Sequence, residues 1–320
     1  MAPGPHSILG AKHLLCPLCE TSNTAEVLHP STDQRSLVCA QNHTFDIAKQ
    51  GYVNLLPVQQ KKSLTPGDNK EMVLARKKFL GLGYYQPLVD ALAENCTQHL
   101  SATHVQTAHL STSQAEAAPV ILDAGCGEGY YTDNLHNALA PQYPDLTTYG
   151  FDIAKPAVIE AAKRNKSLNC FVSTIKAIPI ASQSCDLIIS VFSPMQPSEF
   201  QRLLKPSGTL MVLCAGKNHL HQLKSLLYDN TSEYDEDKFL AQMDSHFTLS
   251  KRIAIQQTMA MHNNHDILSL LAMTPHFWRT SPEAKKQLDC IQQLAVDIDV
   301  QLLQFAPKHP AAQDANNRGT

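Results

Sequence analysis

The chain has 320 residues, 43% of them hydrophobic, which is enough for an ample core and two or three structural units. No apolar run approaches the roughly 18 residues of a membrane-spanning helix, and the first ten residues lack the basic and apolar regions of a secretion signal. We therefore expect a cytoplasmic protein with no membrane association, whose nine cysteines are reduced thiols or metal ligands.

The net charge of −3 is unevenly divided along the chain. Residues 1–86 carry nine Lys/Arg against six Asp/Glu, whereas the remainder carries 17 against 23. A solvated helix face explains Arg76–Lys78 at least as well as any function does. Beside a metal module, however, the basic excess favours a surface that contacts phosphates. Four lysines would test this surface most directly: Lys61, Lys62, Lys77 and Lys78.

The first 60 residues divide into a patternless start, 1–13, which we expect to be flexible, and a compact segment, 14–60. This segment contains Cys16-Pro17-Leu18-Cys19 and, after 19 intervening residues, Cys39-Ala40-Gln41-Asn42-His43. Two close pairs of such ligands are typical of a structural, tetrahedral zinc site, and a chance CxxC motif is the alternative. The expected ligands are Cys16, Cys19, Cys39 and His43, with His13 and His29 as weaker substitutes for the fourth.

Residues 61–100 are expected to form a basic helical connector. Lys70–Leu80 has apolar residues on roughly one helix face, and a second helix should run from Pro87 to about His99. Residues 101–118 follow; they are rich in Ser, Thr, Gln and Ala with little periodicity, which is typical of a linker or an inserted loop.

A glycine-rich loop follows an apolar run at Val120-Ile121-Leu122-Asp123-Ala124-Gly125-Cys126-Gly127-Glu128-Gly129. The run predicts a buried parallel strand, and the glycines allow a tight turn and a close approach of backbone to a ligand. A dinucleotide loop would have the spacing G-x-G-x-x-G. Here the spacing is G-x-G-x-G with an acid two residues before the first glycine. It resembles the S-adenosylmethionine loop of Rossmann-like methyltransferases.

A second acid supports this interpretation. Thr147-Thr148-Tyr149-Gly150-Phe151-Asp152 predicts the next strand, and it places Asp152 23 residues beyond Gly129. Such folds hold the ribose hydroxyls of a nucleoside with a carboxylate at about this position. Asp152 would also serve as the N-cap of a helix that begins at Lys155-Pro156, a role compatible with the first.

The chain from residue 119 to 304 predicts a methyltransferase domain with a doubly wound parallel sheet, because apolar strands alternate with amphipathic stretches. A late strand over Phe247–Met259 and a helix over His265–Met273 complete the pattern, and we expect disorder over residues 305–320. The other strands should lie near 120–124, 146–151, 169–173, 185–191 and 208–214, and the other helices near 130–140, 155–165, 196–204 and 218–228.

Several further segments carry a resemblance to one family: Thr44–Pro57, Pro66-Gly67-Asp68, Gly83–Leu88 and Met273-Thr274-Pro275. Together with the cysteine–histidine arrangement and the glycine-rich loop, they resemble the bacterial 23S ribosomal RNA (guanine-N1)-methyltransferases. The resemblance implies an α/β fold, with a Rossmann-like S-adenosylmethionine-dependent sheet preceded by a small N-terminal zinc-binding module. It also implies 23S ribosomal RNA as substrate and a homodimer.

The resemblance extends to individual cofactor contacts. Tyr85 would close over S-adenosylmethionine, and Gly127 and Glu128 would meet it in the loop. His219 matches a cofactor-contacting histidine, although by itself it would be taken for a surface or helix-terminal residue. Val172-Ser173-Thr174 offers no acid or amide for adenine, so backbone groups would bind it. The expected cofactor-binding residues are Tyr85, Asp123, Gly125, Gly127, Glu128, Gly129, Asp152 and His219.

The sequence also narrows the atom that is methylated. It contains no Pro-Cys dipeptide for a cysteine-nucleophile route, and Phe192-Ser193-Pro194-Met195 stands where amine methyltransferases carry Asn/Asp-Pro-Pro-aromatic. A ring nitrogen such as guanine N1 fits, and it needs a proton acceptor that the sequence does not identify. Phe192 and Trp278 are candidates for stacking on an extruded base, but a core role is the better expectation for each.

Three hypotheses follow from the sequence. The first is an RNA guanine-N1-methyltransferase with a zinc module that helps to grip RNA. The second is a methyltransferase acting on a small molecule or a protein, with the module as a lid. The third is a zinc-containing ribosome-assembly factor that binds cofactor without turnover. The charge asymmetry favours RNA over a small molecule, and the intact loop with Asp152 disfavours the third hypothesis.

Overall fold

A computed structural model describes residues 7–19, 26–61, 63, 66–108, 118–228, 236–278 and 280–308. Its N-terminal part contains a small antiparallel sheet and one further short strand. These strands are β1 (His29–Pro30), β2 (Ser36–Val38), β3 (Thr44–Asp46) and β4 (Val53–Asn54). Two helices follow, α1 (Lys70–Leu80) and α2 (Gln86–Ala108). Within the described residues, no helix combines the length and apolar character needed to cross a membrane.

The remainder alternates strands and helices, as the sequence predicts. The strands are β5 (Val120–Ala124), β6 (Thr147–Asp152), β7 (Asn169–Val172), β8 (Cys185–Val191), β9 (Leu204–Ala215), β10 (Phe247–Met261) and β11 (Leu294–Pro307). The helices are α3 (Tyr130–Leu139), α4 (Lys155–Arg164), α5 (Pro197–Leu203), α6 (His221–Leu227), α7 (Glu236–Asp244), α8 (Asn264–Met273) and α9 (Pro282–Asp289).

Strands β5 to β11, together with β4, form one sheet in the order β10-β11-β9-β8-β5-β6-β7-β4. The strands from β4 to β9 are parallel to one another, whereas β11 is antiparallel to both β9 and β10. The chain order reverses between β5 and β8, and in open α/β sheets ligands bind beyond the carboxyl ends of the strands at such a switch point. The predicted α/β class and parallel sheet are confirmed.

The core lies on both faces of the sheet. All five residues of β5 are buried, which is the pattern of a strand covered on both sides. Ile121 packs into one hydrophobic cluster with helix α2, while Leu122 packs into the other with Phe151 and Phe171. Alternate residues of a strand face opposite sides, so the continuous apolar run at 120–122 serves two layers.

The N-terminal region is part of this body. Residues 7–13, which we expected to be flexible, include a 3-10 helix at Ser7–Gly10 whose Ile8 is fully buried, and the Ser7 hydroxyl donates to the Leu168 carbonyl at 2.7 Å. The expectation is not met there because Ile8 and Ala11 both pack into the core, and two apolar residues are too few to give a periodic pattern in the sequence. Residues 1–6 lie outside the described residues.

The segment 14–60 is joined to the sheet by backbone pairing. Strand β4 extends the parallel sheet beside β7, with Val53 opposite Phe171 and Asn54 opposite Val172. The Leu15 amide donates to the Pro179 carbonyl at 2.9 Å. The region that we predicted as a separate module therefore supplies an edge strand to the main domain.

The predicted end of the second helix, and with it the predicted start of the linker, needs correction. Helix α2 continues to Ala108, into the segment 101–118 that we expected to be a linker; residues 109–117 of that segment are not described. Threonine hydroxyls within α2 donate to backbone carbonyls four residues earlier, as Thr97 does to Ala93 at 2.8 Å. These residues are thereby accommodated inside the helix instead of ending it.

The C-terminal half differs from the prediction more. Strand β11 and helices α7 and α9 were not predicted, and β11 reaches Pro307, so the tail expected to be disordered over 305–320 begins inside a strand. Phe305 is buried against Phe247 and Phe239, which holds this strand end in the core. Strand β9 also begins at Leu204 instead of residue 208. Residues 309–320 lie outside the described part.

Candidate functional site

Four ligand side chains meet near the N-terminus. The sulfur atoms of Cys16, Cys19 and Cys39 and a ring nitrogen of His43 all lie within 4.8 Å of one another, and the three cysteines are buried. The structure thus brings together all four ligands expected from the sequence. His13 instead lies 3.3 Å from the Tyr149 hydroxyl through its Nδ1, and His29 is an exposed residue of β1.

Two facing turns present these ligands. The Cys19 amide donates to the Cys16 carbonyl at 3.2 Å, which closes the first turn. In the second, the Asn42 amide donates to the Cys39 carbonyl at 2.9 Å, and Asn42 has a left-handed φ of 64°. Asparagine tolerates this conformation better than most residues. The hydrogen bond to Cys39 and the left-handed Asn42 therefore explain why the chain between Cys39 and His43 turns back on itself.

The separations between ligand atoms fit a tetrahedral metal ion. Cys19 Sγ lies 3.7 Å from Cys39 Sγ and 3.3 Å from His43 Nδ1. Two thiolates, each about 2.3 Å from a tetrahedral zinc ion, would be about 3.8 Å apart. The residues present therefore fit Zn²⁺, and with four protein ligands no coordination position is left for a substrate.

A cleft of about 720 Å³ lies at the carboxyl ends of β6, β7 and β8. Phe151 and Asp152 line it at the end of β6, followed by Ile153, and the lining continues with Ser173–Ala177 after β7 and Ser193 and Pro194 after β8. Its remaining wall consists of Gly125 and five residues that follow β4: Gln59, Gln60, Ser63, Pro66 and Gly67. The cleft is therefore built partly from the chain segment next to the metal ligands.

The three loop glycines all adopt left-handed backbone conformations, with φ values of 82° at Gly125, 55° at Gly127 and 85° at Gly129. A Cβ at Gly125 would lie 2.0 Å from Ser193 Oγ, and one at Gly129 would lie 2.9 Å from the Ala161 Cα. At Gly127 the nearest atom would be Arg76 Nη1, at 3.9 Å. Two of the glycines thus permit close packing, whereas Gly127 faces open space that a ligand can occupy.

Asp152 lines the cleft and fixes the loop. Its Oδ2 accepts from the Gly127 amide at 3.0 Å and its Oδ1 from the Ala154 amide at 2.8 Å. Burial raises the pKa of its carboxyl, and these two hydrogen bonds act against that shift. Since each carboxylate oxygen has a second lone pair, the bonds leave room for ribose hydroxyls. The capping role expected as an alternative is not present: the N-cap of α4 is Ala154 without a side-chain cap hydrogen bond, and Asp152 accepts from the amide of that cap residue.

Asp123 and Glu128 lie behind the loop, out of the cleft. Asp123 accepts from the Thr132 hydroxyl at 2.5 Å, and burial raises the pKa of its carboxyl to about 7. Glu128 forms an ion pair with Arg164, and its side chain is directed toward helix α4. Asp123 Oδ1 and Glu128 Oε1 have no hydrogen-bond partner among the described residues. Neither side chain is among the residues that line the cleft.

Tyr85, Phe192 and His219 form an aromatic group at the end of β8. The Phe192 and His219 rings are stacked with centroids 5.5 Å apart, and Tyr85 meets both edge-on at 6.4–6.5 Å. Burial lowers the pKa of His219 to about 4, so its imidazole is neutral at physiological pH. His219 Nδ1 is buried without a partner in the described structure. The two residues matched by resemblance alone, Tyr85 and His219, are thus neighbours.

Comparison with known proteins bears on both sites. Residues 14–64 match the zinc-ribbon family described as "RlmA, N-terminal", and residues 121–208 match a family described as "Methyltransferase domain". A 23S rRNA (guanine(748)-N(1))-methyltransferase from Streptomyces fradiae is 29% identical over 275 residues, covering 85% of this chain and 88% of that protein.

Two further relatives match over most of their length, and both carry the name "Putative 23S rRNA (guanine-N(1)-)-methyltransferase". The one from Micromonospora griseorubida is 30% identical over 278 residues, covering 84% of this chain and 88% of that protein. This protein belongs to that methyltransferase family. The other, YxjB of Bacillus subtilis (strain 168), is 28% identical over 292 residues, covering 90% of this chain and 95% of that protein.

In this methyltransferase, the main residues that sequence reasoning missed are those of the wall that follows β4. Pro66-Gly67-Asp68 is a visible turn signal, but nothing local shows that it borders the cleft. Gly67 is needed there because a Cβ would lie 2.8 Å from the Ala154 Cβ. The structure also shows that two lysines of the basic segment have partners: Lys77 with Glu160 at 2.7 Å and Lys78 with His265 at 2.5 Å.

Proposed function

We propose that this protein transfers a methyl group from S-adenosylmethionine to N1 of a guanine in 23S ribosomal RNA. One observation carries the proposal: Gly127, which has open space beside it, donates its amide to Asp152, a carboxylate that lines the cleft, in a chain that aligns along most of its length with enzymes named for this reaction. The order of strands places that cleft at the switch point of the sheet, where such folds bind their ligands.

The residues around the cleft suit a nucleoside cofactor with a positively charged sulfonium. Asp152 would hold the ribose hydroxyls, Ser173 and Thr174 would border the base, and the open side of Gly127 would admit the amino-acid part. When bound, S-adenosylmethionine supplies an electrophilic methyl group. A neutral His219 next to such a cation avoids the repulsion that a protonated imidazole would cause. Tyr85, which is buried and meets the His219 ring edge-on, would close the same side of the cofactor and exclude water.

We assign the Cys16, Cys19, Cys39 and His43 cluster to a structural zinc ion. Zinc supplies cross-links that the short strands β1–β3 cannot provide, since a small unit with so few apolar residues gains little from its own core. The ion would fix β4 against the sheet and hence the cleft wall at Gln59 and Gln60. In this arrangement the metal shapes the cofactor site and the surface next to it and takes no part in the chemistry.

Methylation at guanine N1 requires in-line positioning and loss of the N1 proton. Ser193 and Pro194, which follow β8, border the cleft at the position where the base edge has to enter. Asp152 is the one carboxylate among the described residues that line the cleft, and we have assigned it to the ribose. We therefore assign the chain the tasks of orienting the base and the methyl donor, and we name no protein group as the proton acceptor.

The deciding experiment is to incubate the purified protein with labelled S-adenosylmethionine and unmodified 23S ribosomal RNA transcript, and then to map methylated nucleosides by mass spectrometry. We expect N1-methylguanosine at one position. Label on protein or on small molecules alone would replace the proposal with a different substrate class. Cofactor binding without any transfer would indicate a non-catalytic assembly factor.

The same proposal includes a cytoplasmic location, where ribosomal RNA is available, and a homodimer as the resemblance implies. Fractionation of cells that express a tagged protein tests the location, and sedimentation equilibrium tests the dimer. A purely monomeric protein that still methylates RNA would remove the dimer from the proposal without affecting the activity.

A further inference from the structure

Phe192 combines two features that are unusual for a phenylalanine. Its side chain is 45% exposed, although the sequence favoured a core role, and its backbone has a left-handed φ of 49°. A bulky non-glycine residue in this conformation costs of the order of 1–3 kcal/mol and is commonly found at functional sites. The conformation is held in place, because the Phe192 amide donates to the Leu213 carbonyl at 2.9 Å.

Among the described residues, ring contacts support one face of Phe192 and its edge. It stacks on His219 with an angle of 20° between the ring planes, and the Tyr85 ring meets it edge-on at 74°. Both neighbours are buried, so they form a fixed base under the exposed ring. The ring is thereby positioned without being covered.

Phe192 also lies between the residues that line the cleft and the aromatic group of Tyr85 and His219. The next two residues, Ser193 and Pro194, line the cleft, and Ser193 packs against Gly125 of the loop so closely that a Cβ there would lie 2.0 Å from its hydroxyl. On its other side are Tyr85 and His219. A planar group placed on the open face of Phe192 would therefore lie beside the cleft and at the carboxyl end of β8.

We propose that the open face of Phe192 stacks on the target guanine and so holds the base for attack on the methyl group. This rests on the proposed function and deepens it, since it names the residue that binds the base. Enzymes that modify a base within RNA act on bases that are splayed out of their stack, and aromatic side chains replace the lost stacking. Stacking alone would tolerate any base, so the identity of guanine would be read by groups at its edge.

A double-mutant cycle between residue and base tests the proposal. The RNA probe is a 23S ribosomal RNA fragment that contains the mapped guanine, with a second fragment abasic at that nucleotide. The dissociation constants of wild-type protein and Phe192→Ala are measured for both, with S-adenosylhomocysteine present. Base–aromatic stacking predicts that Phe192→Ala weakens binding of the guanine fragment about 5- to 150-fold and leaves binding of the abasic fragment unchanged.

Three control variants separate stacking from other roles. Phe192→Tyr should restore the affinity for the guanine fragment, whereas Phe192→Leu, apolar but without a π face, should not. Leu249→Ala removes another partly exposed apolar side chain, on the edge strand β10, which β11 and β9 separate from β8, and should change neither affinity. Cofactor affinity, measured by calorimetry, should stay within about twofold in Phe192→Ala, which also verifies that the variant is folded.

Equal losses with the guanine and abasic fragments would overturn the proposal, because they would show that Phe192 contacts the RNA backbone or supports the fold. Full affinity in Phe192→Leu would overturn it as well. These results are distinct from a failure of the proposed function, in which the wild-type protein produces no N1-methylguanosine and no guanine position can be mapped.

Discussion

The metal cluster and the cofactor cleft are built in opposite ways. All four metal ligands come from a stretch of 28 residues, 16–43, and two short motifs with local turns bring them together. The residues that line the cleft come from widely separated parts of the chain, between Gln59 and Pro194, and the order of the strands brings them together. A site made from local turns can be predicted from the spacing of its residues in the sequence. A site assembled by the order of the strands can be predicted only where the end of one strand carries a recognisable motif.

The two regions are nevertheless connected. Strand β4 pairs with β7, and the residues that follow each of these strands form facing parts of the cleft wall. If this connection couples the two regions, loss of a metal ligand should also weaken cofactor binding. Variants of the two regions can therefore show whether they are independent units or one.

Cys19→Ser should have the largest effect. Loss of a zinc ligand is expected to lower metal affinity by more than about 100-fold, since even the loss of an outer-shell partner costs about 10- to 100-fold. The sheet has its own core and should stay folded, while the loosened β4 and cleft wall should weaken cofactor binding. Metal analysis, far-ultraviolet circular dichroism and calorimetry measure these three properties.

Cys290→Ser is the matched control, because Cys290 is an exposed thiol outside the metal cluster. It should keep a full equivalent of zinc and normal cofactor affinity. A full equivalent of zinc in Cys19→Ser would contradict the ligand assignment. Zinc loss with unchanged cofactor affinity would show that the two regions are independent despite the shared strand pairing.

Two loop glycines should respond differently to added side chains. Gly127→Val should abolish cofactor binding, because the side chain would fill the open space and the left-handed backbone would be strained by about 1–3 kcal/mol. In Gly129→Ala the new Cβ would meet Ala161 at 2.9 Å and force α4 to move, at a cost of about 1–3 kcal/mol in folding.

Thermal unfolding and calorimetry on both variants decide the matter. We expect the larger loss of cofactor affinity in Gly127→Val, even where the two melting temperatures are similar. Wild-type affinity in Gly127→Val would mean that the cofactor does not approach the loop at this glycine.

The sequence was informative where the chemistry is local. The zinc ligands come from two short motifs within residues 16–43, and the loop, the strand before it and Asp152 come from residues 120–152. Strand β11 was missed although Val296, Ile298, Val300 and Leu302 alternate in the manner of a strand. It pairs with β10 on one side and on the other with β9, which is about 90 residues away, and local spacing shows neither pairing.

The exposure of Phe192 and the direction of Glu128 were also beyond the sequence. Phe192 is exposed because its left-handed backbone turns the ring onto His219, a contact between residues 27 positions apart. Glu128 was expected to meet the cofactor, but Arg164 on α4 holds its carboxylate behind the loop. In each case a tertiary partner, invisible in local spacing, decides where the side chain points.

His219 provides a test that depends on pH. Burial lowers the pKa of His219 to about 4 in the folded protein, against an ordinary value of about 6.5, so the unfolded chain binds its proton first. Stability from this group is therefore present above pH 6.5 and is lost as the pH falls toward 4. Between pH 7 and pH 5 the loss should be about 2 kcal/mol.

His219→Gln removes the titrating group. Between pH 7 and pH 5 this variant should therefore lose less free energy of unfolding than the wild type does. Denaturant unfolding of both proteins at pH 7 and pH 5 measures the difference, and contributions from other groups, such as Asp123, cancel between them. Identical pH dependence of the two proteins would show that His219 is solvated and not buried against Phe192.

The smallest expected effect concerns the basic segment, in which the structure distinguishes Lys61 from Lys77 and Lys78, while Lys62 lies outside the described residues. Lys77 and Lys78 are engaged with Glu160 and His265, whereas Lys61 is exposed beside the cleft wall. Changing Lys61 and Lys62 to Ala should make the salt dependence of RNA binding shallower, by about 0.7–0.9 in log–log slope for each phosphate that the protein no longer neutralises. Changing Lys77 and Lys78 should alter the slope less, because their charges are already partly compensated.

Titrations of 23S ribosomal RNA fragments at several salt concentrations compare the two double variants, with cofactor affinity as the control that should not move. Equal slopes in both variants and in the wild type would assign the basic segment to solubility, and RNA contact would then lie around the sheet domain. A larger effect from Lys77 and Lys78 would mean that RNA displaces their internal partners. In that case helix α1 itself, and not the chain next to the metal cluster, would face the phosphates.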